Sequence, residues 1–357
     1  MRQKKKICLV IPTFVGGGME RVMSELANYF NSKGHEIHIL FLVRHKPFYK
    51  IEEGIKYYFP KGIYKKDTSF RPFYWIGILG YLRKQIKKIN PDVVFSIPQD
   101  YSNLSIIALI GTGIPVYISD RNSPNLKISF VMNIFRKICY PFAKGIIAQT
   151  SYAKQVMLER GIKNKNIIVI PNPIKNISNY PKDLSTKKVI LNIGRLVFEK
   201  NQKELIDIFS EINDSNWELH IIGDGPLKRE LNEQILSLGM QNYIKILKPV
   251  ANVDIAMAQS EIFAFTSIYE GFPNEAMAYP LACISYNCIA GPSDIIENGV
   301  NGILVDIKDH QEYINKLKKL MNSAALRENL TESSVLNREK FSLEKIGERY
   351  LDFFSKS

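Results

Sequence analysis

Short apolar runs alternate with amphipathic segments twice along this chain, and that rhythm restricts the possible folds more than any other feature. Ile7–Pro12, Glu36–Val43, Val93–Phe95, Pro115–Ser119 and Gly145–Ala148 read as strands. Met19–Lys33, Trp75–Lys88 and Ser102–Leu109 read as helices, the first stopped by Gly34. Strands that are mostly apolar and separated by helices belong to a parallel sheet covered on both faces. After Pro171-Asn172-Pro173, the stretch from Asn176 to Thr186 is rich in Pro, Asn, Ser and Lys, the composition of a linker. The rhythm then restarts. Strands are expected at Val189–Ile193, Leu219–Ile222, Ile244–Leu247, Ile262–Thr266 and Ala282–Ser285, with helices at Lys203–Ile212 and Leu227–Leu238. A last helix, Ser342–Phe354, carries Ile346, Tyr350, Phe353 and Phe354 on one side. The expected architecture is α/β: two doubly wound, Rossmann-like domains at 1–178 and 179–340, separated by a cleft. Residues 341–357 form a C-terminal helix packing back toward the first domain. A length of 357 residues fits two domains.

Charge divides along the same line. Residues 1–178 hold 28 Lys and Arg against 10 Asp and Glu, whereas residues 179–357 hold 20 against 25. The cationic half is expected to meet something anionic, a membrane surface or a nucleic acid. Nucleic acid is disfavoured, because the basic residues are scattered and match no binding motif. Cys8, Cys139, Cys283 and Cys288 show no C-x-x-C spacing and read as buried thiols of a reducing compartment. No secretory signal is expected, and the first apolar run is too short to span a bilayer.

In open parallel sheets ligands bind beyond the carboxyl ends of the strands, and several candidates follow strands. Gly16-Gly17-Gly18 would let backbone N–H groups approach an anion at a helix start, though a flexible turn would read the same. Gly194-Arg195, with Lys200 beyond, could clamp a diphosphate, though two solvated charges would also fit. Gly223-Asp224-Gly225-Pro226 reads as a structural turn. Glu270 and Glu275 flank Gly271, Phe272, Pro273 and Asn274, and Ala276-Met277-Ala278 reads as the start of a helix. Asn274 could cap that helix and Glu275 would favour its positive end, with no ligand required.

Taken together and in order, these segments resemble the retaining GT-B glycosyltransferases of family 4. The resemblance rests on Gly17-Gly18-Met19-Glu20-Arg21, Asn172-Pro173, Gly194 to Lys200, the G-D-G-P turn, SIYEGFPN, E-A-M-A, Gly291-Pro292-Ser293 and Asn298-Gly299-Val300-Asn301-Gly302. It spans nearly the whole chain. It implies a sugar-nucleotide donor, UDP-linked, held by the second domain. Arg195 and Lys200 would bind the diphosphate, Glu270 the donor sugar and Glu275 the ribose. Gly17, Gly18, Gly194, Gly271, Phe272, Pro273 and Asn274 would complete the donor site. Glu20, Asp100 and Arg121 would lie on the acceptor side, and Asp120-Arg121-Asn122 resembles the family's strand-end E-R-N. The resemblance implies no cofactor and no metal, since Arg and Lys stabilise the leaving diphosphate, and the chain has no Asp-x-Asp pair.

One departure bears on activity. The family spaces the two glutamates three residues further apart, nearly one helical turn or ~4.5 Å of rise. The alternative to an active hexosyltransferase is therefore a catalytically impaired GT-B protein acting as a partner subunit. The resemblance also implies an undecaprenyl diphosphate-linked glycan acceptor and a cytoplasmic enzyme peripheral to the inner face of the plasma membrane. Tyr64–Lys88 combines Phe70, Phe73, Tyr74, Trp75, Ile76 and Leu79 with seven lysines and arginines. That composition suits an interfacial segment, and equally a helix packed on the sheet with a charged outer side.

Overall fold

The computed structural model describes residues 3–15, 18–61, 72–120, 129–174, 188–249, 253–269, 274–289 and 291–355. The chain divides into two compact units, Met1–Pro173 with Leu343–Ser357, and Ile174–Ser342. The linker expected at Asn176–Thr186 lies outside the described residues.

The first unit is built on seven parallel strands: β1 (Lys6–Ile11), β2 (Glu36–Phe41), β3 (Lys56–Tyr58), β4 (Val93–Ser96), β5 (Val116–Asp120), β6 (Gly145–Ala148) and β7 (Ile167–Val169). Their order is β3-β2-β1-β4-β5-β6-β7, so the sequence of strands reverses between β1 and β4. These two pair from Ile7↔Val93 to Val10↔Ser96. Five helices connect them: α1 (Gly18–Ser32), α2 (Pro72–Ile89), α3 (Gln99–Leu109), α4 (Phe130–Cys139) and α5 (Ser151–Glu159). β3, β7, α4 and α5 were not among the elements expected from the sequence. β3 and β7 are three residues long and partly exposed, too short to show a periodicity.

Apolar residues fill both faces of this sheet. On one face Val22, Leu26 and Phe30 of α1 meet Leu9, Phe41 and Phe95. On the other, Ile78, Leu82 and Ile86 of α2 meet Val10, Leu40 and Val94. Tyr74 is buried there too, and Trp75 and Leu79 pack against the same cluster. The described part of the aromatic and basic segment is thus a helix packed on the sheet, with Ile76 exposed. Arg83 fastens it by donating to the carbonyls of Ala108 and Ile110 at 2.7 and 3.1 Å. Tyr64 to Arg71 lie outside the described residues.

The second unit repeats the plan with six parallel strands: β8 (Lys188–Ile193), β9 (Trp217–Ile222), β10 (Ile244–Leu247), β11 (Ile262–Phe265), β12 (Ala282–Tyr286) and β13 (Ile303–Val305). Their order is β10-β9-β8-β11-β12-β13, with the reversal between β8 and β11. Helices α6 (Gln202–Ile212), α7 (Lys228–Ser237), α8 (Asp254–Ala258), α9 (His310–Asn322) and α10 (Ala324–Phe341) cover it. Leu205, Phe209, Leu231, Tyr313 and Leu317 make one apolar layer, with Trp217 beneath them. Arg327 stacks on Trp217 at 5.3 Å from the ring centroid and pairs with Glu261 at 3.3 Å.

Helix α11 (Leu343–Ser355) belongs to the first unit although it follows the second in the chain. Ile346, Tyr350, Phe353 and Phe354 are buried against the β4–β5 region, with Phe353 and Phe354 about 5 Å from the ring of Tyr117. Tyr29 of α1 donates to Glu348 at 2.7 Å, and Lys33 pairs with Glu344 at 2.8 Å. A Cβ on Gly347 would stand 2.3 Å from the Tyr29 ring, so this helix fits α1 only with glycine there.

Candidate functional site

In open parallel sheets ligands bind where the strand order reverses, which in the second unit is between β8 and β11, where loops diverge from the two central strands. The loop after β8 carries Gly194, Arg195 and Lys200. It is not a free surface loop. Gly194 N–H donates to Ile222 O at 3.1 Å, Leu196 N–H to Asp224 O at 2.9 Å, and Leu227 N–H to Leu196 O at 3.1 Å. The G-D-G-P turn is therefore a splint for the Arg195 loop. Its glycines are required by contact: a Cβ on Gly223 would lie 2.0 Å from Gly194 O, and one on Gly225 would lie 2.4 Å from Leu196 O. Buried Gln202 donates to Arg195 O at 3.0 Å and holds the loop from the helix side.

The far end of that loop is tied to the end of β11. Thr266 Oγ1 donates to Asn201 O at 3.0 Å, Ser267 Oγ to Glu199 O at 2.9 Å, and Ile268 N–H to the same carbonyl at 3.0 Å. Lys200 Nζ sits 4.9 Å above the Phe265 ring. Both cations thus come from a loop clamped to the strand end that leads, two residues after Ile268, to Glu270. Sequence reasoning named the cations but missed Thr266, Ser267 and Gln202, whose short-range context is that of any strand end or helix start.

Glu270, Gly271, Phe272 and Pro273 lie outside the described residues. Asn274 and Glu275 open a single 3₁₀ turn, Asn274–Ala278, instead of the longer helix expected at Ala276. The physical reason is downstream. Pro280 has no N–H to donate and disfavours the α conformation at Tyr279, and β12 begins at Ala282. Ala276, Met277, Ala278 and Tyr279 are all buried, a pattern with no solvent face for a helix to present. The motif after Pro292 is self-contained: Asn301 accepts from Glu297 N–H at 2.7 Å, and Asn298 accepts from Leu304 N–H at 2.9 Å.

In the first unit the β1/β4 reversal gathers the acceptor-side candidates by element. Gly18 opens α1 after β1, Glu20 lies in its first turn, and Asp100 lies at the start of α3 after β4. Glu20 accepts from Thr13 Oγ1 at 3.4 Å. Gly17 and Arg121 lie outside the described residues. Asp120, at the end of β5, is buried and ion-paired with buried Arg136 of α4.

His45 is a residue that no sequence signal singled out. Its Nδ1 donates to Val43 O at 2.8 Å, so its Nε2 is the acceptor for Phe14 N–H, also at 2.8 Å. Phe48 N–H donates to Phe14 O at 2.6 Å. The loop leading to the glycines is thereby held on both backbone groups of Phe14 by a segment 31 residues away.

Residues 174–335 match the family described as Glycosyl transferases group 1, and residues 16–175 match Glycosyltransferase Family 4. An uncharacterized glycosyltransferase of Methanocaldococcus jannaschii is 31% identical over 77% of this chain and 75% of its own length. A Campylobacter jejuni protein is 26% identical over 97% of both chains; it is named GalNAc-alpha-(1->4)-GalNAc-alpha-(1->3)-diNAcBac-PP-undecaprenol alpha-1,4-N-acetyl-D-galactosaminyltransferase. A glycosyltransferase structure from Rickettsia africae superposes with a TM-score of 0.84 at 20% identity, covering 99% of both chains. The fold is GT-B.

Proposed function

We propose that this chain, which belongs to the group 1 glycosyltransferases of family 4, moves a hexose or N-acetylhexosamine from a UDP-sugar to a lipid-linked or polysaccharide acceptor. Configuration at the anomeric carbon is retained and no metal ion takes part. The observation that carries this reading is the clamped loop of Gly194, Arg195 and Lys200, fixed to the end of β11 just before Glu270. A leaving diphosphate gains negative charge as the glycosidic bond breaks. Cations already held in place stabilise that charge without reorganising. In this assignment Glu270 contacts the donor sugar, Glu275 the ribose, and the backbone around Gly271–Asn274 the diphosphate. Glu20, Asp100 and Arg121 face the acceptor. The name of the Campylobacter jejuni relative specifies an undecaprenol-linked acceptor, which supports a lipid-linked one here. A basic first unit suits work at an anionic membrane surface, peripheral to its inner face.

The test is calorimetric titration with UDP. Arg195→Ala and Lys200→Ala should each lose roughly 1.5–3 kcal/mol of binding, the worth of one charge-assisted contact. Affinities equal to wild type would sink the assignment. Retention is read from the anomeric proton of the product by NMR, and metal independence from activity that survives chelation.

The five-residue turn at Asn274–Ala278 favours a second reading, a GT-B protein that binds donor poorly and serves as a partner subunit. Under that reading UDP-sugar is neither hydrolysed nor transferred at any enzyme concentration.

A further inference from the structure

Helix α4 buries Arg136 and Cys139 and turns an apolar stripe outward. Arg136 is 2% exposed, paired with Asp120, and stacked over Tyr140 at 5.1 Å from the ring centroid. Phe130, Val131, Ile134, Phe135 and Ile138 are exposed, Phe130 at 80% and Ile138 at 60%. Their positions i, i+1, i+4, i+5 and i+8 fall on one stripe of a helix. Phe142, 65% exposed in the following turn, extends the stripe. Contiguous apolar surface of this kind marks a site of contact with something else.

The border of the stripe says what that is. Exposed Lys137 and Lys144 belong to the same segment. Lys137 lies along Gly161, its Nζ 3.4 Å from where a Cβ would stand. Asn164 donates to the carbonyls of Tyr140 and Ala143, both at 2.8 Å, which brings the exposed lysines 163 and 165 beside the turn. Between Asp120 and Glu159 the sequence has no Asp or Glu. A second copy of the chain is a poor occupant, because a two-fold contact would press these lysines against their own copies.

We propose that this face docks on an anionic lipid bilayer, with α4 lying in the headgroup plane, its aromatic stripe inserted and its lysines on the phosphates. A helix with apolar and basic sides of this kind lies at an interface rather than across it. No helix among the described residues is long and apolar enough to cross a membrane. The proposal rests, for its context, on the membrane-bound acceptor assigned above.

The experiment is co-sedimentation of the full chain with phosphatidylcholine vesicles, with and without phosphatidylglycerol. Wild type should bind only the anionic vesicles, and less as salt rises. The triple variant Phe130→Ser, Phe135→Ser, Ile138→Ser should lose at least about tenfold in vesicle affinity, since even one large apolar side chain left unburied accounts for that. Its melting temperature and its UDP affinity, measured without lipid, should match wild type. The four native cysteines are buried, so Ile134→Cys can be labelled selectively with a polarity-sensitive fluorophore, which should shift to the blue on anionic vesicles. Vesicle binding unchanged in the triple variant, or no blue shift, overturns the proposal. So does a wild-type dimer that the triple variant abolishes while neither protein binds vesicles; the occupant is then a second copy. Vesicle binding without UDP binding would instead count against the transferase reading and leave this face standing.

Discussion

Gly223 has no room for a methyl group, because a Cβ there would stand 2.0 Å from the carbonyl oxygen of Gly194. Gly223→Ala must push the Arg195 loop aside. We expect it to cost roughly 1–3 kcal/mol of stability, the usual range for overpacking, and to weaken UDP binding at the same time. A thermal melt and a titration check both, and a loss of stability with unchanged UDP affinity would separate the turn from the site. His310 gives a pH test. Burial of its ring works against the proton, yet hydrogen bonds to Glu211 and Glu204 outweigh it and hold its pKa above the ordinary 6.5. A group whose folded pKa is raised contributes fully below its unfolded value and loses that contribution as pH rises through the folded one. The gap in melting temperature between wild type and His310→Gln should therefore be widest below pH 6.5 and close above it. The position of Arg195 and Lys200 beyond a strand end was legible in the sequence, because the apolar run of β8 stops at Ile193 just before them. His45 was not, because its role is a contact across 31 residues that no local pattern encodes.

Elements were legible where apolar residues kept a period over several turns. α1, α6 and the strands β8 and β9 fall within one or two residues of their expected bounds, the ordinary uncertainty of helix and strand ends. The turn at Asn274–Ala278 was misjudged, because E-A-M-A has helical propensity and only Pro280 and complete burial overrule it. Inserting Val-Leu-Leu between Asn274 and Glu275 tests what the short element does. If the missing turn has removed N–H donors from the diphosphate site, the insertion should raise UDP affinity. If the buried run Ala276–Tyr279 has adapted to the short loop, melting temperature should fall with no gain in affinity. The aromatic, basic stretch around α2 and helix α4 make a second lesson at this scale. Composition drew attention to the first, which buries its aromatic side in the core. Which side of α4 faces the sheet depends on the buried Asp120–Arg136 pair, and that pair exists only in three dimensions. Arg136→Ala should cost about 3–5 kcal/mol by removing the cationic partner of a buried carboxylate, as read by urea unfolding. A cost below 1 kcal/mol would show that the pair does not set the helix orientation.

For the whole molecule, two doubly wound sheets were legible from the doubled rhythm of strands and helices, and the GT-B fold agrees with it. The completion of the first unit by α11 is a matter of packing. Phe354 is fully buried and touches the rings of Phe30, Phe95 and Tyr117. Phe354→Ala should therefore cost about 3–5 kcal/mol, in a transition followed by near-ultraviolet circular dichroism, and a cost under 1 kcal/mol would mean that the helix is dispensable to the core. Its position in the chain also has a bearing on birth rather than on stability. The strands of the first unit leave the ribosome before any of Ile174–Ser342, and the helix that closes their core comes after it. At ~5–20 residues per second that delay is on the order of ten to thirty seconds. Throughout it the nascent first sheet carries an open apolar seat for α11, a natural handle for a chaperone, while the second unit is free to fold ahead of the one that precedes it.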